Sequence, residues 1–126
     1  MKQSTILVVD NNSNVRETMS SLLTVLGIKS VECECGQEAL ARVRTSSFDG
    51  IISDVVMPEM SGFQLANQLK QQAPKLPVIL MSSYASKELE KEAKSVGAVG
   101  LMSKPFKVKT VAQLLTAARI GFVAPS

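Results

Sequence analysis

Short apolar runs alternate along the chain with longer stretches in which apolar positions recur every three or four residues. The short runs are Thr5–Val9 and residues 28–35, 48–53, 78–81 and 99–102. Runs of this length, rich in β-branched residues, predict strands. In 28–35, Val31, Cys33 and Cys35 alternate with Glu32 and Glu34, the pattern of an edge strand with one side partly wet. Between the runs, helical spacing takes over. Val15, Met19, Leu22 and Leu26 form one stripe, and Ala39, Leu40 and Val43 point inward from a helix over 36–46. Phe63, Ala66 and Leu69 do so from 62–72, a Lys- and Glu-rich helix runs to Val96, and Val108, Val111, Leu114, Leu115 and Ala118 mark the last.

The punctuation agrees with these spans. Asn11, Asn12, Ser13 and Asn14 offer a choice of caps for the first helix, and Asn14 with Glu17 has capping-box spacing. Ser61 and Ser86 are placed to cap the third and fourth helices, Gly27 and Gly97 to stop the first and fourth, and Pro74 and Pro77 to end the third. The order is five strand–helix units. Such alternation predicts an α/β fold with a doubly wound parallel sheet covered by helices on both faces. Right-handed crossovers leave few topologies, and 2-1-3-4-5 is the expected strand order. Residues 1–126 read as one domain, with a core of about 5–119 and 120–126 as a frayed tail or the start of a linker.

Composition narrows the function. At 126 residues, 45% hydrophobic and 20% charged, the chain is able to bury a sizeable core. A net charge of +3 is mildly basic, and the Lys and Arg residues are dispersed. With no Trp and one Tyr there is little to stack on bases, so direct nucleic-acid binding is not expected. No run approaches the length of a membrane span, and MKQST lacks the apolar core of a signal peptide, which suggests a cytoplasmic protein without membrane contact. Cys33 and Cys35, with no other Cys and no His, are too few for a structural zinc site and read as small hydrophobes. The absence of His also removes Ser-His-Asp and Cys-His catalysis, and any phosphohistidine must come from a partner.

The chemistry gathers where strands end. In an open α/β sheet, ligands bind outside the strand carboxyl ends. Those ends carry Asp10 and Asn11, Asp54, Ser82 and Ser83, and Lys104. A carboxylate closing a buried strand is a poor packing residue, because burying a charge is costly without partners. Two close carboxylates repel, which raises a pKa or recruits a cation, and oxygen ligands suit Mg²⁺. A hydroxyl and an ammonium beside an Asp match what a transferring phosphoryl group needs, and Asp is a known covalent acceptor. The plain alternatives are a turn role for Asp54, a helix-entry cap for Ser82, a solvated Lys at 104 and a surface aromatic at Tyr84.

ILVVDN at the first strand, SDVVMPEMSG around the third, PVILMSS at the fourth and GLMSKPF at the fifth appear in this order. With them the chain resembles a response-regulator receiver domain of bacterial two-component signalling, of the chemotaxis-regulator type, over residues 5 to about 119. The resemblance implies the flavodoxin-like receiver fold. It implies Asp54 as phosphoryl acceptor, and Asp10, Asn11, Asp54 and the backbone carbonyl of Val56 as the Mg²⁺ site. Ser82 and Lys104 would contact the phosphoryl group, and the peptide before Pro105 would be cis. Val56 and Tyr84 stand where side chains flank the hydrolytic water, and Tyr84 is expected to exclude water and cover the phosphoryl group. Two positions depart from the pattern. Asn11 replaces the second acid of the metal pair, and Leu101 replaces the aromatic of the switch position.

Two functions follow. The first is a phosphorylation switch, not a turnover enzyme. It would be loaded by a sensor histidine kinase or a His-containing phosphotransfer domain, and would act on an output domain or target protein. Homodimerisation through the face of helix four, strand five and helix five is one way to act. The second is a phosphorylation-independent interaction module of the same fold, favoured by Asn11 and Leu101. A flavodoxin-type enzyme is a distant third, since no loop to cradle a flavin phosphate follows strand one.

Overall fold

The runs at Thr5–Val9, Gly50–Asp54 and Val78–Ser82 become strands covered on both faces, which is why they are continuous, whereas the alternating run forms the edge strand Lys29–Cys33 with one side partly wet. The structure, a computed structural model, describes residues 3–124. Its elements in chain order are β1 (Thr5–Val9), α1 (Ser13–Val25), β2 (Lys29–Cys33), α2 (Gly36–Thr45), β3 (Gly50–Asp54), α3 (Gly62–Gln72), β4 (Val78–Ser82), α4 (Lys87–Ser95), β5 (Gly100–Ser103) and α5 (Val108–Ala117). The strands form one parallel sheet in the order β2-β1-β3-β4-β5, as the alternation predicts.

Strand parity divides the core. Leu7, Val9, Ile51 and Leu80 face α2, α3 and α4, where Leu40, Phe63, Leu65, Leu69 and Ala93 meet them. Ile6, Val8, Ile52, Ile79 and Met81 face α1 and α5, where Met19, Leu23, Leu26, Val111 and Leu115 meet them. Truncating a fully buried leucine such as Leu23 or Leu65 to alanine removes about 2–5 kcal/mol.

Five local expectations are corrected. The N-cap of α1 is Asn12, whose side chain accepts from the N–H groups of Asn14 and Val15, so Asn14 lies inside the helix and the capping-box reading fails there. Leu23, not Leu22, joins Met19 and Leu26 as a fully buried member of the α1 stripe; Leu22 packs at its margin. Strands β3, β4 and β5 each end one residue later than expected, so Asp54 and Ser82 are terminal strand residues rather than residues beyond the strand. β2 stops at Cys33, and Cys35 is the N-cap of α2, so the two thiols do not share a strand. Burial pushes the Cys33 thiol up to about 12, which keeps it protonated and supports its reading as a small hydrophobe.

The fifth correction concerns residues 120–124, expected to fray. Ile120 is buried against the α1–α5 face, and Phe122 packs beside it. The Ser4 hydroxyl donates to the Gly121 carbonyl at 2.8 Å, and the Val123 N–H donates to the Leu26 carbonyl at 2.8 Å. This segment belongs to the packed unit; the end of the expected tail, 125–126, lies outside the described residues.

The capping devices at α3 and α4 match the sequence reading. Ser61 and Gln64 form a complete capping box, and Ser86 accepts from the Leu89 N–H. Gly27 and Gly97 take φ of 72° and 80°, the left-handed geometry of a helix stop.

Candidate functional site

Register decides which strand ends meet. Val9 pairs with Ser53, Asp54 with Met81, and Ser82 with Ser103. Asp10, Asp54, Ser82 and Lys104 therefore stand in a row along one edge of the sheet. Backbone bonds just past the ladders hold that edge: Asp10 N–H to the Cys33 carbonyl at 3.1 Å, Val55 N–H to Met81 at 2.9 Å, and Lys104 N–H to Ser82 at 3.0 Å. Behind Asp54 the chain turns tightly. The Gly62 N–H reaches the Val55 carbonyl at 2.8 Å, and a Cβ at Gly62 would collide with the Asp54 carbonyl. Glycine is required there by close approach, not by φ.

Asp10 (1% exposed), Asp54 (7%) and Ser82 (1%) are buried at this edge, with Ser53 buried just behind Asp54. The Lys104 ammonium bridges the acids, with Nζ 3.1 Å from Asp10 Oδ2 and 3.2 Å from Asp54 Oδ2. The other oxygens meet the backbone: Asp10 Oδ1 accepts from Asn12 N–H at 2.9 Å, and Asp54 Oδ1 accepts from Val56 N–H at 3.4 Å. Burial holds the Asp54 pKa above the usual carboxylate range, the negative charge of Asp10 raises it further, and Lys104 pulls it back. The Ser82 hydroxyl accepts from Tyr84 N–H at 3.0 Å, which fixes the start of the β4–α4 loop. The Lys104–Pro105 peptide is cis, as expected.

Other expected residues sit at the margin. Asn11 is exposed beside Asp10. Val56 and Tyr84 are 67% and 81% exposed, so the Tyr84 ring does not cover Asp54, contrary to the covering role expected of it. Leu101 is half-buried and packs against the core on the α2–α3–α4 side of the sheet, as do Leu89, Val96 and Ala98. The oxygen donors brought together at the crevice are the carboxylates of Asp10 and Asp54, which suit a hard cation that keeps several waters. Among the described residues there is no group of three or more His, Cys, Asp or Glu placed to hold a metal.

One residue was missed from the sequence. Arg16 Nη1 donates to the Asp10 carbonyl at 2.7 Å, while its Nε meets Glu32 Oε1 at 3.2 Å. The available signal was an arginine on the first helix together with Glu32 in the edge strand and Glu34 just beyond it.

A doubly wound sheet with two acids, a hydroxyl and a lysine at the strand ends defines the receiver class of signalling domains. The sequence pattern of the response regulator receiver domain matches residues 6–116, and the chain belongs to that family. It is 32% identical to the DNA-binding transcriptional regulator NtrC of Klebsiella pneumoniae over 115 residues, covering 91% of this chain and 24% of that protein. It is 34% identical to the response regulator protein TodT of Pseudomonas putida over 118 residues, covering 93% of this chain and 52% of that protein. The chain thus spans about a quarter to a half of the length of these curated relatives. Among solved structures, the chemotaxis protein CheY4 of Vibrio cholerae superposes with a TM-score of 0.86 at 33% identity, covering 93% of this chain and 99% of that one. Among the described residues no helix is long and apolar enough to cross a membrane.

Proposed function

We propose that the domain is a phosphorylation switch in which Asp54 accepts a phosphoryl group from a phosphohistidine on a sensor kinase or phosphotransfer domain. The observation that carries this reading is the Asp54 carboxylate, buried at the end of β3 and held 3.2 Å from the Lys104 ammonium beside Asp10. An Asp54 oxygen attacks phosphorus, a P–O bond forms, the P–N bond to the donor histidine breaks, and the imidazole leaves with the bond's electron pair. Asp10, the Asn11 amide, Asp54 and the Val56 carbonyl would hold Mg²⁺, which when bound offsets the charge on the phosphoryl oxygens. Lys104 supplies counter-charge to the same group.

The Ser82 hydroxyl would turn from the Tyr84 N–H to a phosphoryl oxygen. That releases the start of the β4–α4 loop and biases the α4–β5–α5 face, where Leu101 rather than an aromatic fills the space against α4. An output domain, a target protein or a second copy would read that face. The phosphoryl group is lost by slow hydrolysis, so the domain is not a turnover enzyme. A groove of about 260 Å³ lined by Asn14, Val15, Thr18, Lys104, Pro105 and Phe106 borders the crevice and is suited to a donor helix. The whole of 1–126 acts as one receiver unit in the cytoplasm.

The second reading, a module that docks without phosphorylation, draws on Asn11, which leaves two carboxylates where a third would strengthen cation binding. One experiment separates them. Wild-type protein treated with acetyl phosphate and Mg²⁺ gains the mass of one phosphoryl group, and Asp54→Ala gains none. No gain in wild type supports docking without phosphorylation, and an equal gain in Asp54→Ala moves the acceptor elsewhere.

A further inference from the structure

The guanidinium of Arg16 is a fork inserted between three elements. Its side chain is 12% exposed. Nη1 donates to the backbone carbonyl of Asp10 at 2.7 Å, Nε meets Glu32 Oε1 at 3.2 Å, and Nη2 lies 4.0 Å from Glu34 Oε1. The Ser20 hydroxyl donates to the other Glu32 oxygen at 3.3 Å and orients that carboxylate. The end of β1, the first turns of α1 and the edge strand β2 are thereby tied through one planar group.

The carbonyl of Asp10 and the N–H of Asn11 lie in the same rigid peptide plane. Fixing that oxygen fixes the direction in which the chain leaves Asp10 and enters Asn11. The Asp10 carboxylate is held separately, by Asn12 N–H and Lys104. Glu32 neutralises the guanidinium, so Arg16 contributes orientation without presenting a net positive charge to a cation in the crevice. Orientation matters more here than where two acids stand in sequence, because the neutral Asn11 amide has no charge with which to attract a metal from a poor geometry. Lysine would not substitute, since a single ammonium lacks donors aimed in two fixed directions.

We propose that Arg16, oriented by Glu32, is a positioning residue for the cation site formed by Asp10 and Asn11. This rests on the reading of the crevice as a Mg²⁺-assisted phosphoryl acceptor. The test uses Arg16→Met with Glu32→Gln, which keeps the pair neutral and retains most of the buried stem, and Arg16→Lys, which keeps the charge but not the fork. Mg²⁺ affinity is read from the backbone amide resonances of Asn11, Asn12 and Val56. The rate of phosphorylation by acetyl phosphate is measured across Mg²⁺ concentration.

Both variants are expected to bind Mg²⁺ about tenfold more weakly, with the phosphorylation rate returning close to wild type at saturating Mg²⁺. A merely structural role would not produce that split. Unchanged Mg²⁺ affinity, or a rate deficit that saturating Mg²⁺ does not repair, overturns the proposal. So does a wild-type-like Arg16→Lys. If wild type binds Mg²⁺ but takes up no phosphoryl group, the functional reading fails while the titration still decides the role of Arg16. If wild type binds no Mg²⁺, both fall.

Discussion

The Lys104 ammonium lies 3.1 Å from Oδ2 of Asp10, a residue 94 positions earlier in the chain, and the same nitrogen is 3.2 Å from Asp54. One cation thus balances two buried carboxylates. Asp54 already has a raised pKa, from burial first and Asp10 second. A carboxyl with a raised folded-state pKa binds its proton more tightly folded than unfolded. Its effect is therefore nil below the unfolded pKa of about 4 and becomes a loss of stability as pH rises through the folded value. Lys104→Met removes the lowering influence, so the loss grows and extends to higher pH. We expect Lys104→Met to be less stable than wild type by about 2 kcal/mol near neutral pH, with the deficit shrinking under acid. Urea unfolding across pH checks this, and a deficit independent of pH would show that Lys104 does not offset the acids.

Asn11→Asp restores a second charge beside Asp10. It should tighten Mg²⁺ by about a few-fold to tenfold, read by titration of amide shifts. Unchanged or weaker binding would place residue 11 away from the cation.

The lifetime of phosphorylated Asp54 should be long. Val56 and Tyr84 both face solvent at the mouth of the crevice, and Val56 has no polar group with which to hold an attacking water. Val56→Asn with Tyr84→Glu adds hydrogen-bonding groups there and should shorten the half-life by roughly tenfold to a hundredfold. Decay of the phosphoprotein after donor removal is the measurement, and an unchanged or longer half-life would show that side chains at these two positions do not orient the attacking water.

Glu59 carries a φ of 67°, and the Met60 N–H reaches back two residues to the Pro58 carbonyl at 2.7 Å. A γ-turn with positive φ is strained for a residue with a Cβ. Glu59→Gly relieves that strain and should raise stability by about 1 kcal/mol. Equal unfolding midpoints for Glu59→Gly and wild type would show that the loop holds no such strain.

Much of this molecule was legible in one dimension. Strand–helix alternation is set by hydrophobic period, and the parallel order follows because right-handed crossovers admit few arrangements. Gly27, Ser61, Ser86 and Gly97 act through their own backbones, so their roles needed no distant partner. Asp10, Asp54, Ser82 and Lys104 could be gathered from the sequence because all occupy one kind of place, the carboxyl end of a parallel strand.

What the sequence did not decide depends on groups that meet only when elements pack. Leu22 and Leu23 both lie near the stripe of α1, and the angle at which that helix rests on β1 and β2 selects Leu23. Four residues could cap α1, and the path of the chain leaving β1 selects Asn12. Ile120 to Val123 look like a tail until the gap beside Leu26 and Ser4 exists to receive them. Whether the Tyr84 ring covers the crevice or faces solvent depends on the loop that Ser82 fixes. The reach of Arg16 to the Asp10 carbonyl needs Glu32 from an edge strand to neutralise and aim it. Periodicity reports what a residue's neighbours in the chain require of it, and only the tertiary structure brings in partners from elements far away.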